Sequence, residues 1–266
     1  MMTRHLSSTL VRRTAVASLL AAVVVPRSSA QTPGAPAGRI SVQWLGHSAF
    51  EIISPGGTRL LIDPFLTTNP TTPDSLKNLG RYSGATKPDA ILVTHSHDDH
   101  THDAKAIAQR SGARIISVYD WINTLGLPDS QVWGGNVGGA FPVGDVTVRL
   151  VPAIHSSEPG GRPVGLVLDF ADGRSLYHTG DTWLFGDMAL IQQLRHPDII
   201  LICAGGMFTM DPRDALLAIN KYFKPRTIIP MHYATFPGLA TAAEVRARFA
   251  SDRRAVVMTP GQKLIF

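Results

Sequence analysis

Short apolar runs alternate with turn-forming residues along most of the chain after residue 38. Runs rich in Val, Ile and Leu and bounded by Gly, Pro, Asn or Asp are typical of buried strands. The pattern predicts strands at Ile40–Leu45, Ala49–Ile53, Arg59–Ile62, Ala90–Val93, Arg114–Ser117, Val146–Val151, Val164–Asp169, Ser175–His178, Ile199–Ile202, Thr227–Pro230 and Ala255–Met258.

Helical patterns are fewer than strand patterns. Asp211 before Pro212 is typical of a helix start, because a carboxylate caps the first turn and Pro fits its first position. Thr241 with Glu244 three residues later indicates a capping box. Early strand pairs followed by strand–helix alternation predict an α/β fold, α+β by content, with helices covering sheets. The helices are expected at Asp103–Arg110, Trp121–Leu125, Met188–Gln193, Pro212–Phe223 and Ala242–Phe249.

Composition and charge narrow the function classes. With 44% hydrophobic and 17% charged residues, the chain is neither a disordered protein nor a multi-span membrane protein. Its net charge of +5 comes largely from four Arg within residues 1–30, a segment without Asp or Glu. The remaining 21 basic and 20 acidic residues leave a net charge of +1. We therefore expect a small-molecule substrate rather than a nucleic acid partner.

Residues 1–30 have the pattern of a signal peptide. A basic start precedes the apolar run Thr14–Pro26, and small residues stand before Gln31. As a helix this run rises only about 20 Å, less than the ~30 Å hydrocarbon core of a membrane. An uncleaved anchor and a buried N-terminal helix stay open as alternatives. We expect a periplasmic or secreted protein, without membrane attachment after cleavage. Arg12-Arg13 leaves twin-arginine export open as one route, although Thr14 to Val16 are a weak context for that signal.

The domain organisation follows from the same segments. Residues 31–38, QTPGAPAG, are expected to form a flexible linker, and residues 39–266 are expected to be one domain. A homo-oligomer is left open.

The chemically informative segment is THSHDDH (94–100), where an apolar strand runs into a loop with three His and two Asp. Imidazole nitrogens and carboxylate oxygens are ligands that divalent metals prefer. His95 and His97 are two residues apart and can share one cation in an extended loop. Asp99 and His100 follow at a bend and can reach a second cation.

Three further residues of ligand type stand just past apolar strands. Polar residues at the ends of neighbouring strands meet at one edge of a sheet. These residues are therefore expected beside the THSHDDH loop: they are His155, Asp181 and His232.

The chain resembles the metallo-β-lactamase superfamily, and most closely its metal-dependent hydrolases related to ascorbate-6-phosphate lactonase. THSHDDH is similar to the His-x-His-x-Asp-His motif of that superfamily. The resemblance spans essentially the whole chain after the leader. One departure is Asp211, because that branch usually has Gly after FTM. The other segments that carry it are WLGHSAF (44–50), IDPF (62–65), GGNVGG (134–139), VPAIHSS (151–157), YHTGDT (177–182), FTMDPRDA (208–215) and IPMHYATFP (229–237).

This resemblance implies a four-layer αββα sandwich that holds two divalent metal ions at one edge. The metals recorded in the family are zinc, manganese and iron, and we expect zinc here, with Mn²⁺ or Fe²⁺ as alternatives. Asp181 would bridge the two ions. The first ion would be held by His95, His97 and His155, and the second by Asp99, His100 and His232.

A metal-bridging hydroxide is the expected nucleophile, since two nearby cations lower the pKa of bound water towards ~7. Asp99 would orient it and accept a proton. The expected activity is hydrolysis of a small ester, lactone or phosphoester, and a β-lactamase or other amide hydrolase is the alternative. A non-catalytic metal-binding or sensor protein is the alternative of another class. His47, Thr209 and Tyr233 are the candidate substrate contacts.

Overall fold

Two mixed sheets form the framework of the described chain. The structure is a computed structural model and describes residues 38–266, so the predicted signal peptide and nearly all of the linker lie outside the described residues. The first sheet has the strand order β13-β1-β2-β3-β4-β5-β6. Its strands are β1 (Ser41–Gly46), β2 (Ala49–Ile53), β3 (Arg59–Ile62), β4 (Ala90–Leu92), β5 (Arg114–Val118), β6 (Val132–Gly135) and β13 (Lys263–Ile265).

The second sheet has the order β12-β11-β10-β9-β8-β7. In it, β7 to β10 are antiparallel neighbours, and β10, β11 and β12 run parallel. Its strands are β7 (Ala140–Val143), β8 (Val146–Pro152), β9 (Val164–Phe170), β10 (Ser175–His178), β11 (Ile199–Cys203) and β12 (Thr227–Met231).

Helices cover the two sheets, as the αββα sandwich predicts. Apolar residues of both sheets and of the longer helices share one buried core. The predicted fold is therefore confirmed. The helices are α1 (Asp74–Lys77), α2 (Asp98–Thr101), α3 (Ala104–Ser111), α4 (Tyr119–Ile122), α5 (Met188–Arg195), α6 (Pro212–Tyr222) and α7 (Ala242–Phe249). Within the described residues, no helix is long and apolar enough to cross a membrane.

One edge of the sandwich collects the polar residues. In each sheet, the strands that lead into them run in the same direction, so their carboxyl ends lie together: β3 and β4 in the first sheet, and β8, β10 and β12 in the second. Two backbone hydrogen bonds connect the sheets at this edge. Val164 N donates to Thr94 O (3.0 Å), and His232 N donates to His47 O (3.1 Å).

The structure corrects the prediction at several elements. Ala255–Met258 is not a strand, because only Ala255 bridges Ile228 before a turn redirects the chain towards β1. In that turn, Gly261 N donates to Trp44 O (2.7 Å). The strands β6, β7 and β13 and the short helices α1 and α2 were not predicted. Each has three or four residues, too few to show a hydrophobic period.

Candidate metal centre

The THSHDDH segment joins β4 to the single-turn helix α2. His95 lies in a bend before the helix, His97 precedes the helix in extended conformation (φ −64°, ψ 145°), and Asp99 and His100 lie within it. The bend that the sequence predicts is therefore one helical turn. It directs the first two imidazoles and the second pair of side chains to different parts of the same edge.

The first group of candidate ligands consists of three histidines. One ring nitrogen each from His95, His97 and His155 lies within 4.8 Å of the other two. His95 Nε2 is 2.9 Å from His97 Nδ1. His95 is fully buried, while the other two are partly exposed. This is the set that the resemblance implies for a first metal.

The second group lies on the other side of Asp181. Asp99, His100 and His232, together with His47, offer ligand atoms within 4.8 Å of one another. Asp181 Oδ2 is 2.8 Å from His232 Nε2, 3.4 Å from His100 Nε2 and 3.7 Å from His155 Nε2. This carboxylate oxygen thus contacts both groups, as a bridging ligand would.

Several of these buried atoms have no hydrogen-bond partner. Asp181 Oδ1 and His232 Nδ1 have none at all, and the Nε2 atoms of His100 and His232 lie close to Asp181 Oδ2 without hydrogen-bond geometry. A buried polar atom without a partner costs about 1–3 kcal/mol. A divalent cation would use the lone pairs of such atoms, and imidazole with carboxylate is a donor set that suits it. The residues present therefore fit a metal.

Asp63 fixes the orientation of His100. Its Oδ2 lies 2.8 Å from His100 Nδ1, and it accepts hydrogen bonds from Thr94 N (2.8 Å) and Thr94 Oγ1 (2.7 Å). A carboxylate only accepts, so His100 Nδ1 carries a hydrogen, and Nε2 faces the centre, where it can bind a metal once it has lost its proton. Sequence reasoning missed this role, although Asp63 stands in IDPF at the end of β3.

His47 lies beneath the second group rather than at the surface. It is fully buried, with Nε2 3.0 Å from Asp99 Oδ2 and Nδ1 2.9 Å from Thr235 Oγ1. Its carbonyl oxygen also accepts the His232 N–H at 3.1 Å. Both ring nitrogens already have protein partners. The prediction that His47 contacts substrate gains no support from this position.

The other two predicted substrate contacts are also buried. Tyr233 packs on Trp44, and its hydroxyl donates to Met258 O at 3.1 Å, away from the ligand groups. Thr209 is 8% exposed and donates to Met210 O at 3.3 Å. Their roles stay predictions without a contact that favours them.

In the metal-free chain, burial and neighbouring charges shift the pKa values of these groups in different directions. Burial lowers the pKa of His95 and His155. Burial alone would lower the pKa of His100 too, but the charges of Asp181 and Asp63 raise it well above its usual value. Burial raises the pKa of Asp181, but the charges of His232 and His100 outweigh it and hold this pKa well below its usual range. Metal binding would therefore release a proton from His100.

The two groups open into a cleft of about 310 Å³. Its residues come from the loops after β4, β8, β10, β11 and β12, so the cleft forms where the two sheets meet. The lining residues are His97, Asp99, His155, Ser156, Asp181, Phe208 and His232.

Comparison with known proteins decides the family. Residues 41–232 match the family model described as "Beta-lactamase superfamily domain". The chain belongs to the metallo-β-lactamase superfamily. It is a metal-dependent hydrolase, as the sequence predicts.

Relatives of this hydrolase come from bacteria and archaea. It is 42% identical over 251 residues to a UPF0173 metal-dependent hydrolase of Anaeromyxobacter dehalogenans, covering 88% of this chain and 89% of that one. A relative from Thermococcus kodakarensis is 41% identical, covering 85% of this chain and 99% of that one.

Among solved structures, the metallo-hydrolase Igni18 of Ignicoccus hospitalis is 36% identical. It has a TM-score of 0.76, and the match covers 86% of this chain and 98% of Igni18. The two chains therefore share the fold over most of their length.

Proposed function

We propose that this hydrolase is exported and uses two divalent cations, zinc in the first place, to cleave a small ester, lactone or phosphoester. The observation that carries the proposal is the convergence of seven His and Asp side chains, several with buried unpaired atoms, on one open cleft. Two cations bound there would supply Lewis-acid activation of the scissile group and a water of lowered pKa.

The ligand side chains have distinct tasks in this proposal. His95, His97 and His155 hold the first ion, and Asp181 lies between the two groups. Asp99, His100 and His232 hold the second ion. Seven ligands exceed what one tetrahedral ion with an open position needs.

Asp99 also has a catalytic task. Its side chain is 29% exposed and lines the cleft. Burial raises its pKa, but the hydrogen bond from His47 and the charge of His100 outweigh burial and lower it, so the carboxylate is ionised. Asp99 can therefore orient a water molecule and accept its proton.

The cleft is open to solvent, which favours a catalytic metal site over a purely structural one. A structural site closes its coordination sphere with protein ligands, whereas a catalytic one keeps an open position. Here His97, Asp99 and His155 are partly exposed. A sensor or storage protein has no need of this opening.

Asp99→Asn tests the proposal directly. The change keeps the side-chain volume but removes the charge, so we expect a folded protein with less of the second metal. We expect kcat to fall by about two orders of magnitude or more. The measurements are circular dichroism, metal content and turnover on a panel of esters, lactones, phosphodiesters and β-lactams, with and without a chelator.

Asp98→Asn is the matched control. Asp98 is the neighbouring carboxylate, 79% exposed and paired with His102, so its loss should leave turnover unchanged. Wild-type turnover in Asp99→Asn would contradict the assignment of Asp99. Preferred cleavage of β-lactams would replace the proposed substrate class, and no turnover on any substrate would favour a non-catalytic protein.

Export rests on the sequence of residues 1–30. Cleavage near Ala30 would give a mature chain that starts near Gln31. Intact-mass analysis of protein from the native host tests this, and a mass that retains Met1 or Met2 would contradict it.

A further inference from the structure

Exposed apolar residues stand in the loops that carry the candidate ligands, and one of them, Phe208, lines the cleft. Among the described residues, eleven large apolar side chains are exposed, and five of them stand in the loops at this edge. Scattered exposed apolar residues are normal, but a cluster at a polar cleft is typical of a ligand site. These five, which we call the apolar rim, are Ile154 (52% exposed), Trp183 (56%), Met207 (69%), Phe208 (60%) and Phe236 (37%).

The rim is connected to the candidate ligands on both sides. Ile154 directly precedes His155, and Trp183 N donates to Ile154 O at 3.0 Å, so the two residues are neighbours. Phe208 itself lines the cleft. On the opposite side, the Phe236 ring lies 5.5 Å from that of His47.

The backbone holds the loop of Met207 and Phe208 in a fixed, strained shape. Met207 has φ +57°, a left-handed conformation that costs energy for a residue other than glycine. Phe208 N donates to Gly206 O (2.6 Å), and Met210 N donates to Thr182 O (3.1 Å). The loop is thus tied to the segment that carries Asp181. Strain of this kind is maintained at functional sites more often than elsewhere.

The charges of the cleft residues also favour a substrate with an apolar part. Within the described chain, none of the residues lining the cleft is Lys or Arg. Enzymes that select a phosphate group usually add Arg or Lys contacts to the metals. An uncharged substrate needs no such partner, and its apolar part can lie on the rim.

We propose, on the basis of the proposed function, that the substrate is an uncharged carboxylic ester or lactone whose alkyl or aryl group lies against Trp183 and Phe208. Hydrolysis adds one water across the acyl carbon–oxygen bond. The hydroxyl group of the water bonds to the acyl carbon, the bond from that carbon to the ester oxygen breaks, and the remaining proton of the water goes to the departing oxygen. The apolar rim then sets which substrate is preferred, because a longer alkyl group buries more apolar area against it.

A chain-length series tests the proposal. The substrates are 4-nitrophenyl esters with two to ten carbons in the acyl group and γ-lactones with four to ten, and a phosphodiester serves for comparison. Each methylene buried on the rim should raise kcat/KM by up to about fourfold. Trp183→Ala and Phe208→Ala should flatten this dependence, whereas Leu194→Ala, on α5 and 64% exposed, should retain it.

A binding measurement separates this inference from the proposed function. Octanoate and acetate are titrated calorimetrically into the metal-loaded wild type and the same three variants. Octanoate should bind more tightly than acetate, and Trp183→Ala and Phe208→Ala should remove the difference. If no substrate is cleaved but this difference is found, the proposed function fails and the apolar site stands.

Three results would overturn the inference. One is a wild type without chain-length dependence in both turnover and binding. Another is preference for the phosphodiester over every ester and lactone. The third is a changed oligomeric state of Trp183→Ala and Phe208→Ala in size-exclusion chromatography while their chain-length dependence stays that of the wild type. The rim would then be a subunit interface.

Discussion

At the scale of single residues, the sequence identifies the candidate ligands but not the residues that orient them. His95 to His100 form a recognisable motif, and Asp181 and His232 stand at strand ends. The contacts of Asp63 with His100 and of His47 with Asp99 join positions 37 and 52 residues apart. Such contacts depend on how the sheets pack, so the local sequence carries no signal for them.

His47 provides a prediction at this scale. Asp99 can only accept from Nε2, so Nδ1 must accept from Thr235, and the ring holds the carboxylate in place. His47→Phe removes this hydrogen bond and should weaken binding of the second metal by about 10- to 100-fold. Calorimetric titration with Zn²⁺ measures the two affinities, and the first site should keep its affinity.

Two comparison variants sharpen this test. His47→Gln keeps an N–H that can donate to Asp99 and should retain more affinity than His47→Phe. His102→Phe alters an exposed histidine outside the two ligand groups and should bind as the wild type does. Unchanged binding of both ions by His47→Phe would show that His47 does not position Asp99.

At the scale of elements, the apolar runs predict the central strands and the longer helices well. Ala49–Ile53, Arg59–Ile62, Ser175–His178 and Ala242–Phe249 have the predicted bounds. The missed β6 and β7 are short and contain Gly or Pro, and β7 and β13 lie at sheet edges. Their pairing depends on neighbours that are distant in sequence.

Asp211 is a second prediction, because its departure from the family pattern has a structural reason. Its carboxylate accepts hydrogen bonds from Arg213 N (2.8 Å) and Asp214 N (2.7 Å) at the start of α6. Asp211→Ala should lower the free energy of unfolding by about 1 kcal/mol and leave metal content unchanged. Urea denaturation measures the free energy of unfolding, and Asp211→Asn should recover most of the loss.

An Asp211→Ala protein as stable as the wild type would remove the capping role. Loss of metal in that variant would instead connect Asp211 to the cleft.

At the scale of the whole molecule, the buried histidines make stability depend on pH. Burial lowers the pKa of His47 to about 4 and lowers those of His95, His155 and His178. The unfolded chain then binds more protons below its His pKa of about 6.5, so folding is disfavoured as pH falls. His100 opposes this, since its raised pKa stabilises the fold at low pH.

The metal-free protein should therefore lose stability between about pH 6.5 and 4, because only the unfolded chain protonates these four histidines there, while His100 is protonated in both states. Below that window, the lowered pKa values of Asp99 and Asp181 should add further loss as pH falls. Urea midpoints in the presence of a chelator measure the effect. A midpoint that is constant or rises from pH 6.5 to about pH 4.5 would contradict the lowered pKa values of the four histidines.

The central claim is that this edge of the sandwich holds two divalent cations. The most direct measurement is the metal content per chain of the purified, metal-replete protein by elemental analysis, with Asp99→Asn beside it. The account predicts two ions per wild-type chain and about one in Asp99→Asn, because the three-histidine group keeps its ligands. A wild-type content that never exceeds one ion per chain would contradict it.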